Sequence, residues 1–296
     1  MRSFYQSQQA AASKLFSSAV FQELARKGRS SLFSSLFAET GLGTSLGKSA
    51  RVGDAFEEAF DRLCREGSRD EYIYKTALIR RVLLGRHSLK TACALNEFRV
   101  GECKADLAIL NGTSTVYEVK SERDSLVRLD KQLGAYSLVF ASVYVVSAET
   151  HLKKLVSSMP EHVGLLRVNN RFQISIVREA IDRSADLSVP AIFDSIRLEE
   201  AQRILSYFGV ETPVVPNTEL CSVLREHFLV LNPHQAHEGM VRILKDTRSH
   251  IRLSDLLREL PRSLHTAALS APLRKLDHSR LISAVNTDLQ VALGWR

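Results

Sequence analysis

The spacing of apolar positions divides the 296-residue chain into three stretches of different period. Up to Ala38, Phe16, Val20, Leu24, Leu32 and Phe33 recur at helical intervals, which predicts one or two amphipathic helices followed by a flexible break at 41–49. Residues 54–85 stay helical. Ala55, Phe56, Ala59, Phe60 and Leu63 share one face, and Ile73, Ala77, Leu78, Leu83 and Leu84 predict a second helix ending near Gly85. The period then drops to two. Strands are predicted at 92–100, 105–110 and 116–120, and a helix over about 125–140 carries Leu126, Leu129, Leu133, Tyr136 and Phe140 on one stripe. A buried strand at 143–146, a helix at 149–157 and weaker strands near 165 and at 172–177 follow. Beyond about 184 the pattern is helical only, with segments at 198–208, 220–229, 233–247 behind an Asn232-Pro233 cap, 253–260 and 273–289.

The order helix, three strands, helix, strand, helix, strands predicts an α/β layer architecture. Its early strands are joined by turns and its later ones by a crossover helix. Three consecutive parts are expected: a helical arm and linker at 1–50, an α/β core at 51–182 and an all-helical C-terminal domain at 183–296. The arm is expected to pack on the body or on a second subunit.

Composition narrows the class. With 45% apolar and 25% charged residues the chain reads as globular, and its length suggests about two domains with a core that needs no staple. The four cysteines show no C-x-x-C spacing, so they read as reduced thiols and not as a zinc site or disulfide framework. No apolar run approaches the roughly 18 residues of a membrane span. No compact apolar block follows Arg2 either, so a cytoplasmic protein without membrane contact is expected. A net charge of +7 leans toward a polyanionic partner.

Several motifs fail on inspection. A Walker loop ending at Gly47-Lys48-Ser49 has Leu42 where its first glycine belongs, and Gly43-Thr44-Ser45-Leu46-Gly47 lacks the preceding strand of a nucleophile elbow. His234 and His237 have a spacing that permits zinc on a helix, but no third ligand stands at a suitable interval, so helix surface is expected. Residues 253–276 could form a helix-turn-helix with Arg274 and Lys275 near phosphates, although a packed helical hairpin is the stronger reading.

The chemistry concentrates between Asp106 and Gln132. Asp106 interrupts one apolar strand, and Glu118-Val119-Lys120 interrupts the next. A charge buried in a strand is costly, so three in neighbouring strands imply a common reason. Strand periodicity sets Glu118 and Lys120 on one face and Val119 on the other. Asp106 lands opposite Glu118 if the strands close across 111–113. A two-residue Asn111-Gly112 turn would instead set it opposite Tyr117, so a three- or five-residue loop or a bulge is required. Two carboxylates so placed can hold Mg²⁺, or Mn²⁺ in its stead, with the Val119 carbonyl as a third protein oxygen. The ion would activate a water against a phosphodiester, and Lys120 would orient that water or offset charge developing on phosphorus. The plain alternative is a surface hairpin with a Glu–Lys pair. Glu97 could join the metal site but is read first as solvent-facing or supporting, Asp124 as the cap of the following helix, and Arg99 and Lys104, which could contact the scissile strand, as solvated.

Together with stretches 96–100, 104–107, 124–129 and 132–136, these residues resemble the PD-(D/E)XK nuclease superfamily, and within it an uncharacterised bacterial nuclease-like branch. The resemblance covers about 70–146 and has Ala105 where the usual proline precedes the aspartate. It implies a restriction-endonuclease-like core: a helix, a three-stranded antiparallel meander, a crossover helix and further strands. Asp106 would be its first metal-binding acid, Glu118 and Lys120 its E-x-K, and Glu71 an additional acid acting directly or through water. Gln132, with Tyr136 one turn on, would match the Gln-centred motif that positions Lys120 or the substrate backbone. The implied activity is metal-dependent hydrolysis of nucleic acid, DNA favoured over RNA. Two alternatives stay open: a nucleic-acid-binding or regulatory protein that keeps the core without cutting, and a protein whose helical regions bind a partner or a second copy.

Overall fold

Each period-two run becomes a strand of one six-stranded sheet. In the computed structural model, which describes residues 2–65, 69–169 and 172–296, these are β1 (Cys93–Val100), β2 (Cys103–Leu110), β3 (Ser114–Lys120), β4 (Ser142–Ser147), β5 (Gly164–Val168) and β6 (Ile174–Arg178). They lie side by side in chain order. β1, β2 and β3 are antiparallel; β4 runs parallel to β3 and β5 parallel to β4; β6 turns back antiparallel. Parallel neighbours need a crossover, and the helices Leu129–Ser137 and Glu149–Ser158 supply the two. The fold is α/β with a mixed sheet. Among the described residues, no helix is long and apolar enough to cross a membrane.

The chain forms two compact units, Arg80–His250 and a second built from both ends, Met1–Ile79 with Ile251–Arg296. This division differs from the consecutive parts 1–50, 51–182 and 183–296, and the packing explains the difference. Within Arg80–His250, the helices Val189–Ser195, Leu198–Tyr207, Asn217–Phe228 and Pro233–Thr247 place Ile192, Ile204, Phe228 and Met240 in the same apolar core as Val116, Val143 and Val145 of the sheet. They are the sheet's own cover. The unit built from both ends opens with three helices, Arg2–Leu15, Ser18–Lys27 and Ser31–Thr40, where one or two were expected. The Phe33 ring lies 5.2 Å from that of Phe56 and 6.0 Å from that of Trp295. Ser34 donates its hydroxyl to the Leu293 carbonyl at 2.7 Å, and the backbones of Arg51 and Asp288 form an isolated antiparallel β-bridge. The N-terminal segment thus packs on the rest of its unit and shares its core.

The weaker, helix-turn-helix alternative requires one helix to carry Arg274 and Lys275. Helix His265–Ser270 stops before Arg274, which heads the separate helix Lys275–Val285 and donates its N–H to Asp277 at 2.9 Å.

One buried ion pair ties the helical cover of the sheet. Glu200, 2% exposed, accepts from Nε and Nη2 of Arg248 at 2.7 and 2.6 Å and from the N–H of Arg197 at 2.9 Å. Burial opposes its ionisation, but the guanidinium and the N–H outweigh burial and hold the carboxyl below its usual range. A carboxyl depressed on folding contributes stability that is present above its unfolded value, about 4.3, and lost as pH falls through the folded value. Urea unfolding measured from about pH 7 down to pH 3 is therefore expected to show an acid loss that Glu200→Gln reduces. An unchanged acid slope in that variant would remove Glu200 from the account.

Candidate active site

The site begins with the loop between β2 and β3. Leu110 pairs with Ser114, so the loop is the three residues 111–113, with Gly112 at φ +102, a conformation open to glycine. The register runs on to Leu107 opposite Tyr117, which sets Asp106 level with Glu118 where the pairing ends. There the Asp106 carboxylate braces β3: its Oδ2 accepts the N–H of Val119 at 2.7 Å. Glu118 and Lys120 follow Val116 on the face covered by Leu129, Leu133 and Tyr136 of the crossover helix.

On that face four side chains close a polar network. Lys120 Nζ donates to Glu118 Oε1 at 2.7 Å and to Gln132 Oε1 at 3.0 Å. The Gln132 amide returns its Nε2–H to the same Glu118 oxygen at 2.5 Å. Tyr136, one helical turn on, donates to Glu118 Oε2 at 2.9 Å and lies 3.0 Å from the Lys104 carbonyl. Glu118 is 2% and Lys120 7% exposed, so neither charge is hydrated and each depends on its partners. Burial, followed by the neighbouring Glu118 charge, pushes the Tyr136 phenol far up, which keeps it a proton donor. Tyr136 is the larger part of the site than its place beside the Gln motif suggested.

β1 brings a further acid. Glu97 has φ +53, a left-handed conformation that costs a non-glycine residue about 1–3 kcal/mol. The strand's inward-facing positions switch there, from Cys93 and Leu95 to Phe98 and Val100, while on β2 they switch from Leu110 and Ala108 to Ala105. Asn96 pairs with Leu107 and Phe98 with Ala105, so Glu97 and Asp106 face each other between those pairs. Their carboxylate oxygens come within 4.8 Å, and Glu97 Oε2 also meets Lys104 Nζ at 3.0 Å. Glu97 and Lys104 are both exposed, as read, and Glu97 in addition stands beside Asp106. The three-residue step from Leu95 to Phe98 in an otherwise period-two strand carried this signal.

Glu71 belongs to the unit built from both ends, in the first turn of the helix Glu71–Leu78, exposed and ion-paired to Lys75 at 2.5 Å. Val119 gives its N–H to Asp106. Asp124 does not cap the crossover helix, which starts at Leu129 without a side-chain cap; it turns back to accept the N–H and hydroxyl of Ser121 at 2.7 and 2.6 Å. His234 is exposed, as expected of helix surface, but His237 is buried with Nε2 2.8 Å from the Ser114 hydroxyl. The two histidines thus serve different environments. Burial lowers the basicity of His237.

Comparison with known proteins gives three similarities. Protein cII of Enterobacteria phage P4 is 33% identical over 98 residues, covering 32% of this chain and 33% of that protein. The matched stretch thus spans about a third of the relative. A protein of unknown function from Silicibacter pomeroyi superposes with a TM-score of 0.28 at 20% identity, over 42% of this chain and 85% of the other. The profile of the family described as Bacteriophage P4 protein cII matches residues 65–258, a span holding all six strands together with Asp106, Glu118, Lys120 and Gln132. A match over more than half of its length means that this chain belongs to the bacteriophage P4 protein cII family.

Proposed function

We propose that the protein is a metal-dependent nuclease of the PD-(D/E)XK type, acting in the cytoplasm on nucleic acid, DNA before RNA. The observation that carries this reading is the buried Lys120 ammonium held between Glu118 and Gln132, at the strand end braced by Asp106. The element order supports it: a three-stranded meander, a crossover helix and a parallel fourth strand follow one another as a restriction-endonuclease-like core requires. The net charge of +7 suits a phosphate-rich substrate.

Asp106 and Glu118 would hold a divalent cation, with Glu97 beside Asp106; carboxylate oxygens are the hard donors that Mg²⁺ and Mn²⁺ take. When bound, such an ion polarises the phosphodiester and lowers the pKa of a coordinated water. The chain's own groups do the positioning. Gln132 fixes Lys120 Nζ, which spends two of its three N–H donors on Glu118 and Gln132 and keeps one for an attacking water or a phosphate oxygen. Tyr136 holds the second Glu118 oxygen and with it the carboxylate plane.

A second reading has its own observation. Both Glu118 oxygens already accept buried donors, so the same core would serve equally as a nucleic-acid-binding protein that does not cut. Incubation with labelled single- and double-stranded DNA and RNA separates the two. Cleavage with Mg²⁺ or Mn²⁺ that EDTA abolishes is expected. Salt-dependent binding without cleavage of any substrate, and without metal uptake by calorimetry, would overturn the nuclease and leave the second reading.

A further inference from the structure

The face of the sheet opposite the Glu118–Lys120 network carries a cavity of about 380 Å³ lined by residues of β2 to β6 and of the segment before β1. Its volume lies within the range of small-molecule sites. It has features that a packing void does not need. Tyr117 and Tyr144 stack over its floor, ring centroids 5.7 Å apart and planes at 16°. Gly164 makes room for this, since a Cβ there would come within 2.3 Å of the Tyr144 ring and 2.8 Å of the Ala180 nitrogen. The Tyr144 hydroxyl is committed to Glu179 at 2.6 Å. Tyr117 is 6% exposed, and among the described residues no hydrogen bond reaches its hydroxyl.

Asn111 supplies an unmet demand. Its Nδ2 pairs with Nε2 of His87 at 2.8 Å, while its Oδ1 is buried without any hydrogen-bond partner. A buried acceptor left unmatched costs about 1–3 kcal/mol, and such groups in a lined cavity mark a ligand or an ion. The Arg86 guanidinium at the rim adds positive charge close enough to favour the ionised form of both tyrosines, against the burial that pushes their phenols up.

We infer that this cavity binds a nucleoside monophosphate: a flat base between aromatic and aliphatic walls, a base N–H for Asn111 Oδ1, a hydrogen bond with the Tyr117 hydroxyl, and phosphate toward Arg86. Aliphatic Ile109 and Leu166 complete the apolar wall. The inference stands apart from the nuclease reading, because it involves no cleavage and none of Asp106, Glu118 or Lys120.

The test is isothermal titration of the full chain, in EDTA, with the four common ribonucleoside monophosphates, the corresponding nucleosides and inorganic phosphate alone. Saturable binding of at least one monophosphate is expected. Tyr117→Phe, which keeps the ring, is expected to weaken it about ten-fold, the worth of one good hydrogen bond. Arg86→Gln should weaken the monophosphate by a similar factor and leave the nucleoside unchanged. Binding of none of the probes at millimolar concentration would overturn the inference, and so would binding that both variants leave untouched. Binding of inorganic phosphate as tight as that of every monophosphate would overturn the base-recognition half of it. EDTA keeps these outcomes separate from metal-dependent cleavage.

Discussion

Glu118→Ala is expected to lower the unfolding free energy by about 3–5 kcal/mol, far more than a surface charge deletion. The substitution removes the acceptor of Lys120, Gln132 and Tyr136 at one stroke. Lys120, 7% exposed, would then keep its charge in the interior with the Gln132 carbonyl as its remaining acceptor. Breaking a buried pair from one side costs more than the pair contributes, because the surviving charge is left uncompensated. Lys120→Met should be costly for the mirror reason, leaving a buried carboxylate. The double variant Glu118→Ala/Lys120→Met strands neither charge and is expected to be more stable than either single one. Urea unfolding of the four proteins at neutral pH, followed by far-UV circular dichroism, closes the cycle. Costs that simply add would mean that the two side chains do not depend on each other.

Asp106→Asn is expected to reduce metal-dependent cleavage about a thousand-fold while leaving the fold intact. Asparagine keeps an oxygen that can accept the Val119 N–H, so the brace between β2 and β3 survives. The negative charge that faces Glu97 and would attract the cation is lost. Affinity for nucleic acid, measured in EDTA, should change little, because removing an anion does not weaken contacts to phosphate. Cleavage at the wild-type rate in this variant would place the chemistry elsewhere in the chain. A parallel loss of binding and of thermal stability would instead mean that Asp106 matters only as a structural brace.

Much of the candidate site was legible because it lies on local, regular structure. Charges interrupting apolar strands at Asp106, Glu118 and Lys120, together with the rule that a three-residue loop sets the first of them against the second, depend only on strand period and loop length. The left-handed backbone at Glu97 was not legible by that rule, since alternation assumes that a strand keeps its faces. The crossover helix begins at Leu129 and not at 125, although Leu126 continues its apolar stripe. Asp124 instead folds the chain back on Ser121, and Val127 is left exposed. Partner choice was hidden for a different reason. Apolar spacing shows which face of a helix is buried but not against what, so nothing local distinguishes Phe228, which packs under the sheet, from Trp295, which meets Phe33.

The route of the chain through its two units also bears on how it is made. Residues 80–250 are contiguous and complete as soon as they leave the ribosome, whereas Met1–Ile79 must wait for Ile251–Arg296. Until then Phe33 lacks Trp295, Ser34 lacks the Leu293 carbonyl and Arg51 lacks Asp288. Helices rich in phenylalanine are thus held uncovered while the whole sheet is synthesised, the kind of exposed apolar surface that nascent chains aggregate through and chaperones shield. The segment made before the sheet is the last that can close.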